Sequence, residues 1–431
     1  MEHQPAGIAA GALLFEQVQR GERCRDRLAA GGMVFTRAYC ANPLCVPSRG
    51  ALFTGRYPTE TGIMDNDDRT RVRLDPKKFP MLGKVFHDAG YETAYYGKWH
   101  LAIPEKQVDV HGFEQYETPQ EDPLTTSNVV KFLQKKHDKP FLMMASFLNP
   151  HNIAEWSRGQ KLPLGEVGAP PPVDQLPPLR KNHQPPQDEP DIVDLMRRSY
   201  QAAPMFPVST YDETKWREYI WAYYRLIEKV DREIGQVLDA LKQSGQAKNT
   251  LVSLSADHGD MQGSHRWNQK TILYEEATRV QFVMSYPGTI KAGTSPRLVN
   301  TGIDFMPTLC DYAGITPPPG LPGLSLKETA NGKTTADPRE FIVVSDRLVQ
   351  GAEVEGKLPK PDGRMIRSQR YSYTTYSEGK RREALYDLEK DPGETVNLAA
   401  KPAMKSALLA HRAMLQEWCS KTKDNFPVPQ A

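Results

Sequence analysis

A cysteine on a constrained turn is the residue of this chain whose neighbours best fit a nucleophile. Cys45 begins the pentapeptide CVPSR, with Pro47 two positions on and Arg49 four positions on. A proline just inside the start of a helix, with a cation nearby, predicts a thiol held at a helix N-terminus, where thiols become reactive. A lone cysteine is more often a small buried hydrophobe, and this alternative applies to Cys45 unless other residues point to the same site.

Polar side chains follow three apolar segments, at the point where each segment ends. Each segment is apolar on both faces, which is typical of buried parallel strands. Open α/β sheets bind ligands at the carboxyl ends of their strands, so we expect the polar side chains to meet in one cleft. The segments and the residues that follow them are 91–96 with Lys98 and His100, 141–147 with His151, and 251–254 with Asp257 and His258.

The motifs that contain these residues resemble those of the type I sulfatases of the alkaline phosphatase superfamily. The family signature CxPSR, followed by an LTG-like element and a proline, is present here as CVPSR and LFTGRYP. Three later blocks match in family order: GKWHL, with Ala102 where the family has glycine, then NPH, then SADHGD followed by Lys270. The matches extend from about Arg27 to Leu398.

The resemblance implies that Cys45 is the precursor of the nucleophile. In the family this cysteine is converted to formylglycine, so a formylglycine-generating enzyme is an implied partner. One hydroxyl of the formylglycine hydrate attacks sulfur and releases the alcohol, and the other drives the collapse to the aldehyde that expels sulfate. His100 would orient the diol, and Arg49 completes the catalytic pentapeptide.

The same resemblance assigns the residues that bind the sulfate. Lys98 would hold the sulfate and the diol, and Lys270 would bind the sulfate and assist the leaving group. His151 would contact the sulfate and help the ester oxygen to depart. A cation or an acid suits that position, because negative charge develops on the ester oxygen as the bond breaks.

Part of the family's metal site has no counterpart in this sequence. Asp257, His258 and the modified Cys45 would ligate calcium or magnesium, which prefer hard oxygen ligands. Sulfatases usually open with a strand whose paired aspartates also bind the metal, whereas residues 1–26 contain one aspartate, Asp26. We therefore expect weak cation binding and a gap or an open edge in the central sheet. An inaccurate start site, a substitute ligand set and a degenerate homologue are the competing explanations.

The remaining segments predict an α/β fold with two parts. A mixed, mostly parallel sheet sandwiched by helices, of the alkaline-phosphatase type, would form a catalytic domain over residues 1–325. Short alternating runs and an amphipathic helix predict a C-terminal α+β subdomain over 326–431 with a small antiparallel sheet. The strands of that subdomain are predicted at 341–345, 364–368, 371–376 and 384–388.

Two segments of the predicted catalytic domain have distinctive patterns. Apolar residues every three or four positions predict a helix over 212–244, with a capping box of Thr210 and Glu213 and a stop at Gly245. Residues 163–207 contain eleven prolines, which predicts an irregular surface excursion near the cleft without regular helix or central strand.

Composition excludes several classes of partner and site. The 55 basic and 53 acidic residues nearly balance, so nucleic acid is not an expected partner. The five cysteines include no CxxC pair, which argues against a disulfide framework or a zinc site. No apolar run approaches the ~20 residues that a membrane span needs, and the start lacks the pattern of a signal peptide. A cytoplasmic location is therefore expected for the chain as written, and a periplasmic or secreted one if the N-terminus is incomplete.

Three functions compete at this point. The first is hydrolysis of a sulfate ester of a sugar or small molecule, and the second is hydrolysis of a phosphonate or phosphate ester by the same superfamily's chemistry. The third is a noncatalytic homologue that binds sulfate or glycan after losing its metal. His265 and Arg266 are expected to line the substrate mouth in either enzyme.

Overall fold

A mixed sheet of nine strands forms the centre of the protein, within the residues that the computed structural model describes, 7–12, 24–334, 336–348 and 350–430. A second sheet of four strands lies in the C-terminal part. The strands are β1 (Gly7–Ala12), β2 (Met33–Tyr39), β3 (Glu92–Gly97), β4 (Gln115–Glu117), β5 (Phe141–Ser146), β6 (Thr250–Ser255), β7 (Arg279–Val280), β8 (Phe282–Ser285), β9 (Gly293–Asn300), β10 (Phe341–Arg347), β11 (Asp362–Ser368), β12 (Tyr371–Tyr376) and β13 (Glu383–Asp387).

The central sheet has the order β4-β3-β5-β1-β6-β8-β2-β7, with β9 beside β2. The five strands from β4 to β6 are parallel, whereas β8 is antiparallel to both β6 and β2. The predicted α/β fold with a mixed, mostly parallel sheet is confirmed. The three predicted apolar strands are β3, β5 and β6, and their carboxyl ends lie at one edge of the sheet.

Strand β1 lies at the centre of the parallel ladder, between β5 and β6. Its last residue, Ala12, is in register with Ser146 and with Ser255. The expected gap or open edge in the sheet is therefore wrong. The ladder needs only backbone hydrogen bonds, which any extended segment supplies, with or without aspartates. The sequence of the strand, GIAAGA, contains no carboxylate, so this strand supplies no metal ligand.

Helices pack on both faces of the sheet, because successive side chains of each buried strand point to opposite sides. Leu142 and Met144 of β5 belong to one hydrophobic cluster, and Met143 and Ala145 belong to another. The helices are α1 (Cys24–Ala30), α2 (Cys45–Thr54), α3 (Pro58–Thr61), α4 (Asp68–Arg71), α5 (Leu82–Asp88), α6 (Val108–His111), α7 (Asp122–Leu133), α8 (Ile153–Ser157), α9 (Asp191–Ala202), α10 (Glu213–Gln243), α11 (Glu275–Thr278), α12 (Thr301–Ala313), α13 (Lys327–Ala330) and α14 (Lys405–Thr422).

The long helix predicted from periodicity is α10, but it begins differently from the prediction. Asp212 is the N-cap, and its side chain accepts a hydrogen bond from the Lys215 amide at 2.8 Å. The predicted capping box of Thr210 and Glu213 is wrong, because the aspartate two positions on from Thr210 already satisfies a free amide of the first turn.

The proline-rich segment contains one regular helix, α9, so the prediction that it holds none is wrong. The helix occupies the interval between Pro190 and Pro204, where no proline interrupts the backbone hydrogen bonds. Its buried side belongs to a hydrophobic cluster that also includes residues of β2 and of the C-terminal sheet, and the helix contributes Ile192, Val193, Met196 and Tyr200. Proline therefore sets the ends of this helix and does not exclude it.

The C-terminal part contains the predicted antiparallel sheet, in the order β10-β11-β12-β13, with α14 packed against it. The division into domains at residue 325 stays a prediction. Among the described residues, no helix is both long and apolar enough to cross a membrane.

Candidate active site

Cys45 is the first residue of α2 and lies beside three cationic or basic side chains. Its sulfur is 3.3 Å from Lys270 Nζ, 3.6 Å from Lys98 Nζ and 3.3 Å from His258 Nε2. The side chain is 1% exposed. The fold thus brings together residues that are separated by up to 225 positions in sequence, as the strand-end pattern predicts.

These neighbours favour negative charge at Cys45. Burial alone would raise the pKa of the Cys45 thiol, but the charges of Lys270, Lys98 and His258 outweigh it and hold this pKa well below its usual value. The site therefore stabilises an anion at the position of the sulfur atom.

We expect Lys270→Met to raise the pKa of Cys45 in the unmodified protein, because the largest opposing charge is removed. Less thiolate is then present at pH 7, and alkylation by a small reagent slows by about tenfold. Thiolate absorbance across a pH titration, corrected with Cys45→Ala, measures the pKa. An unchanged titration would show that Lys270 does not set the charge at this position.

Arg49 lies four positions after Cys45 in α2 and connects this helix to the carboxyl ends of β3 and β5. Its guanidinium donates to Trp99 O at 3.0 Å, Lys98 O at 2.7 Å and Ser146 Oγ at 3.0 Å, and also to the Tyr95 hydroxyl. These contacts fix the backbone that carries Lys98. The guanidinium also lies 3.9 Å from the Asp257 carboxylate and lines the cavity described below, and the catalytic role of Arg49 stays a prediction.

We expect Arg49→Lys to destabilise the fold although the charge is kept. An ammonium cannot reach all of these acceptors, so buried carbonyls lose their partners at a cost of about 2–4 kcal/mol in unfolding free energy. Denaturant unfolding measures this loss. Arg56→Lys is a control, since that arginine is partly exposed and its loss should cost less than about 1 kcal/mol.

Lys98 and His100 lie on a tight turn after β3. Gly97 has φ +102°, and a Cβ there would lie 2.0 Å from Ser146 O, so only glycine fits. His100 has φ 46°, and its buried Nδ1 has no hydrogen-bond partner among the described residues. Burial lowers the pKa of His100, against an opposing contribution from its hydrogen bond to Cys45. The hydrogen bond to Cys45 places the imidazole next to the nucleophile position.

His151 lies on a loop after β5 that Asp122 holds in place. The Asp122 carboxylate accepts from the amides of Leu148 at 2.6 Å and Asn149 at 3.1 Å. The charge of Lys98, with burial, holds the pKa of His151 well below its usual value. The role of Asp122 could not be read from sequence, because an aspartate before proline at a helix start indicates only a local cap.

Asp257, His258 and Cys45 form a group of possible metal ligands in this site. One ligand atom of each lies within 4.8 Å of the others. His258 Nδ1 lies 2.9 Å from the Gly259 carbonyl, to which it donates a hydrogen bond. In the neutral ring Nε2, 3.3 Å from Cys45 Sγ, then carries the lone pair that a metal ion would bind. Burial would raise the pKa of Asp257, but His258, Lys98 and Arg49 lower it overall, so the carboxylate stays ionised.

A small cavity of about 30 Å³ opens beside these groups. Its lining includes His151, Lys270 and Asp257, and also Tyr223 and Asp260. Neither Tyr223 nor Asp260 is among the site residues predicted from the sequence.

The expectation that His265 lines the substrate mouth is wrong. Its side chain is fully buried, and it contacts Asn182 and the Gln184 carbonyl instead of the cavity. Arg266 is exposed.

Comparison with protein families and relatives identifies similar chains over almost the whole length. A family model described as Sulfatase matches residues 18–315, and one described as N-sulphoglucosamine sulphohydrolase, C-terminal, matches residues 263–421. A Delta 4,5-hexuronate-2-O-sulfatase of Bacteroides thetaiotaomicron is 33% identical over 425 residues, which cover 93% of this chain and 84% of that protein. An N-acetylglucosamine-6-O-sulfatase of the same organism is 26% identical, covering 93% and 82%.

Solved structures show the same similarity. A 2-O GAG sulfatase has a TM-score of 0.84 at 30% identity, covering 100% of this chain and 94% of that chain. The phosphonate monoester hydrolase of Agrobacterium radiobacter has a TM-score of 0.76 at 19% identity, covering 97% and 96%. At that identity, the second likeness shows a shared fold alone.

Proposed function

The chain belongs to the sulfatase family and hydrolyses sulfate esters, and from that premise we propose that its substrate is a sulfated saccharide attacked by a formylglycine hydrate derived from Cys45. The family generally uses formylglycine and a metal ion. The observation that supports this assignment is the convergence of Lys98, Lys270 and His258 on Cys45 Sγ at the wall of one cavity. The hydrate would supply an oxygen nucleophile where the thiol now lies.

Lys98 and Lys270 bind the sulfate group. Their ammonium groups approach the nucleophile position from different segments of the chain, so a sulfate placed there contacts both. Because the ammonium groups are buried and already in place, they stabilise the charge that develops on the sulfate oxygens without reorganising.

His151 holds the proton for the leaving oxygen. Without substrate, the charge of Lys98 and burial keep the pKa of this imidazole low. An anionic sulfate bound between His151 and the two lysines offsets their charge and raises that pKa, so the protonated imidazole is available when the alcohol departs.

Asp257 and His258, with residue 45, would hold the divalent cation. The donor set fits the group, because it combines an ionised carboxylate, an unprotonated Nε2 and, after modification, hydroxyl oxygens within one small space. Calcium or magnesium suits these ligands, held more weakly than in a site with two further aspartates. When bound, the cation would stabilise negative charge on the nucleophile and the sulfate.

A saccharide substrate is supported by the relatives, since one is a hexuronate 2-O-sulfatase and another an N-acetylglucosamine 6-O-sulfatase. The cavity also offers Asp260 and Gln269, which can accept or donate hydrogen bonds to sugar hydroxyls.

The test combines modification and turnover. The protein is produced together with a formylglycine-generating enzyme, and mass spectrometry of the Cys45 peptide should show CH₂SH replaced by CHO. A panel of 2-O- and 6-O-sulfated sugars, choline sulfate and a phosphonate monoester is then assayed with added calcium. We expect turnover of a sulfated sugar. A fully modified peptide with turnover of the phosphonate or choline sulfate alone would overturn the proposed substrate class.

A further inference from the structure

A second group of possible metal ligands lies outside the catalytic cavity. It consists of His265, Glu276 and Glu394, and one ligand atom of each lies within 4.8 Å of the other two. The residues come from the loop that carries Lys270, from α11, and from the segment after β13. The group therefore joins the catalytic loop to the C-terminal part of the chain.

Each of the two carboxylates accepts a hydrogen bond through one oxygen only, Glu276 Oε1 from the Asn182 amide and Glu394 Oε2 from the Glu275 backbone amide. Glu394 is fully buried, and its Oε1, like Glu276 Oε2, is a buried atom without a hydrogen-bond partner among the described residues. The nearby Arg367 guanidinium is already engaged by Glu275 at 3.2 Å and by the Tyr39 hydroxyl at 2.8 Å. A buried and a partly buried carboxylate this close, each with a buried oxygen that lacks a partner, favour a shared proton or a bound cation.

The neutral imidazole of His265 is a suitable metal ligand beside the two carboxylates. The distance of 3.3 Å between His265 Nδ1 and the Gln184 carbonyl places the ring proton on Nδ1, so Nε2 carries a lone pair directed into the group. The Asn182 amide lies 2.6 Å from Glu276 Oε1 and 3.3 Å from His265 Nε2. The same nitrogen donates to the Gly393 carbonyl at 3.0 Å, so this amide holds Glu276 and His265 in place as a hydrogen-bond donor.

A route from solvent reaches the group. A groove of about 650 Å³, distinct from the catalytic cavity, is lined by Asn182, Glu276 and Gly393. An ion can therefore enter without passing the catalytic residues.

We propose that His265, Glu276 and Glu394 form a second cation site that binds a divalent transition metal such as zinc. One imidazole nitrogen and two carboxylates favour zinc over the hard cation of the catalytic site. The ion holds a strained loop in place, since Gln262, His265 and Gln269 all have positive φ and precede Lys270.

The experiment separates this site from the catalytic one. In Asp257→Asn the catalytic ligand set is incomplete, and we expect equilibrium dialysis against zinc, followed by elemental analysis, to leave one ion per chain. Adding Glu394→Gln should weaken this binding by at least tenfold. Glu328→Gln, an exposed glutamate in the same background, should leave it unchanged.

Folding does not confound the result, because Glu394→Gln removes a buried charge and Glu276→Gln provides an independent second variant. Zinc should also raise the melting temperature of Asp257→Asn, and neither glutamine variant should show that rise. The proposal is overturned if Asp257→Asn retains no zinc, which would indicate a shared proton between the carboxylates. It is also overturned if both glutamine variants bind zinc as tightly as their parent. Because none of these readouts is enzymatic, the outcome is independent of the proposed substrate.

Discussion

Cys45→Ala loses sulfate ester hydrolysis, and we expect kcat/KM to fall by about 10³-fold or more. Alanine cannot become formylglycine, so the chain keeps the two lysines proposed to bind sulfate but lacks the proposed nucleophile. The expected pattern is near-complete loss of turnover with retained binding of inorganic sulfate, which calorimetry measures.

The matched control is Cys40→Ala. Cys40 is also fully buried, but burial, with the charge of Asp257, raises the pKa of its thiol well above the usual value, and its sulfur lies 4.0 Å from the Ala277 carbonyl. We expect this variant to keep turnover within about threefold once its folding is confirmed, because it loses only a small apolar group. Equal losses in the two variants would mean that Cys45 acts through packing.

The strands that precede the site residues could be predicted because burial on both faces determines both their apolar sequence and their place inside the sheet. A strand buried on both faces must be apolar throughout, and it must end where its sequence becomes polar. The segments before Lys98, His151 and Asp257 all have this property. Their positions at the carboxyl ends of parallel strands then follow from the sheet type alone.

Features that depend on distant partners could not be predicted in this way. Asp122 precedes His151 by 29 positions and holds its loop through backbone amides, which leave no mark in sequence. Strand β1 is composed of small and apolar residues without a turn signal, and its place in the sheet depends on the two strands beside it. The burial of His265 likewise depends on Asn182, a residue of the proline-rich segment.

The presence of β1 shows that the difference from the family's metal site concerns the metal ligands only. The backbone of the parallel sheet is continuous through β1, so the lack of paired aspartates is a matter of ligands and not of architecture. Anion binding then depends more heavily on the lysines, because the cation that would share the charge has fewer ligands.

Lys98→Met should therefore lower kcat by about 10²- to 10³-fold, the cost of removing one preformed charge from the site of developing negative charge. Methionine keeps most of the length and volume of the side chain, so the cavity is not refilled. Because Lys98 holds the pKa of His151 low, the free enzyme's profile of kcat/KM against pH should also change, with the limb that reports His151 moving to higher pH.

Lys84→Met is the control for the loss of a lysine. That ammonium pairs with Asp88 on the surface of α5, so kcat and the pH profile should stay as in the parent. A fall in kcat for Lys98→Met without movement of the pH limb would assign Lys98 to sulfate binding alone. Movement of the limb with unchanged kcat would instead show that Lys270 suffices to hold the sulfate, and that Lys98 acts by setting the charge of His151.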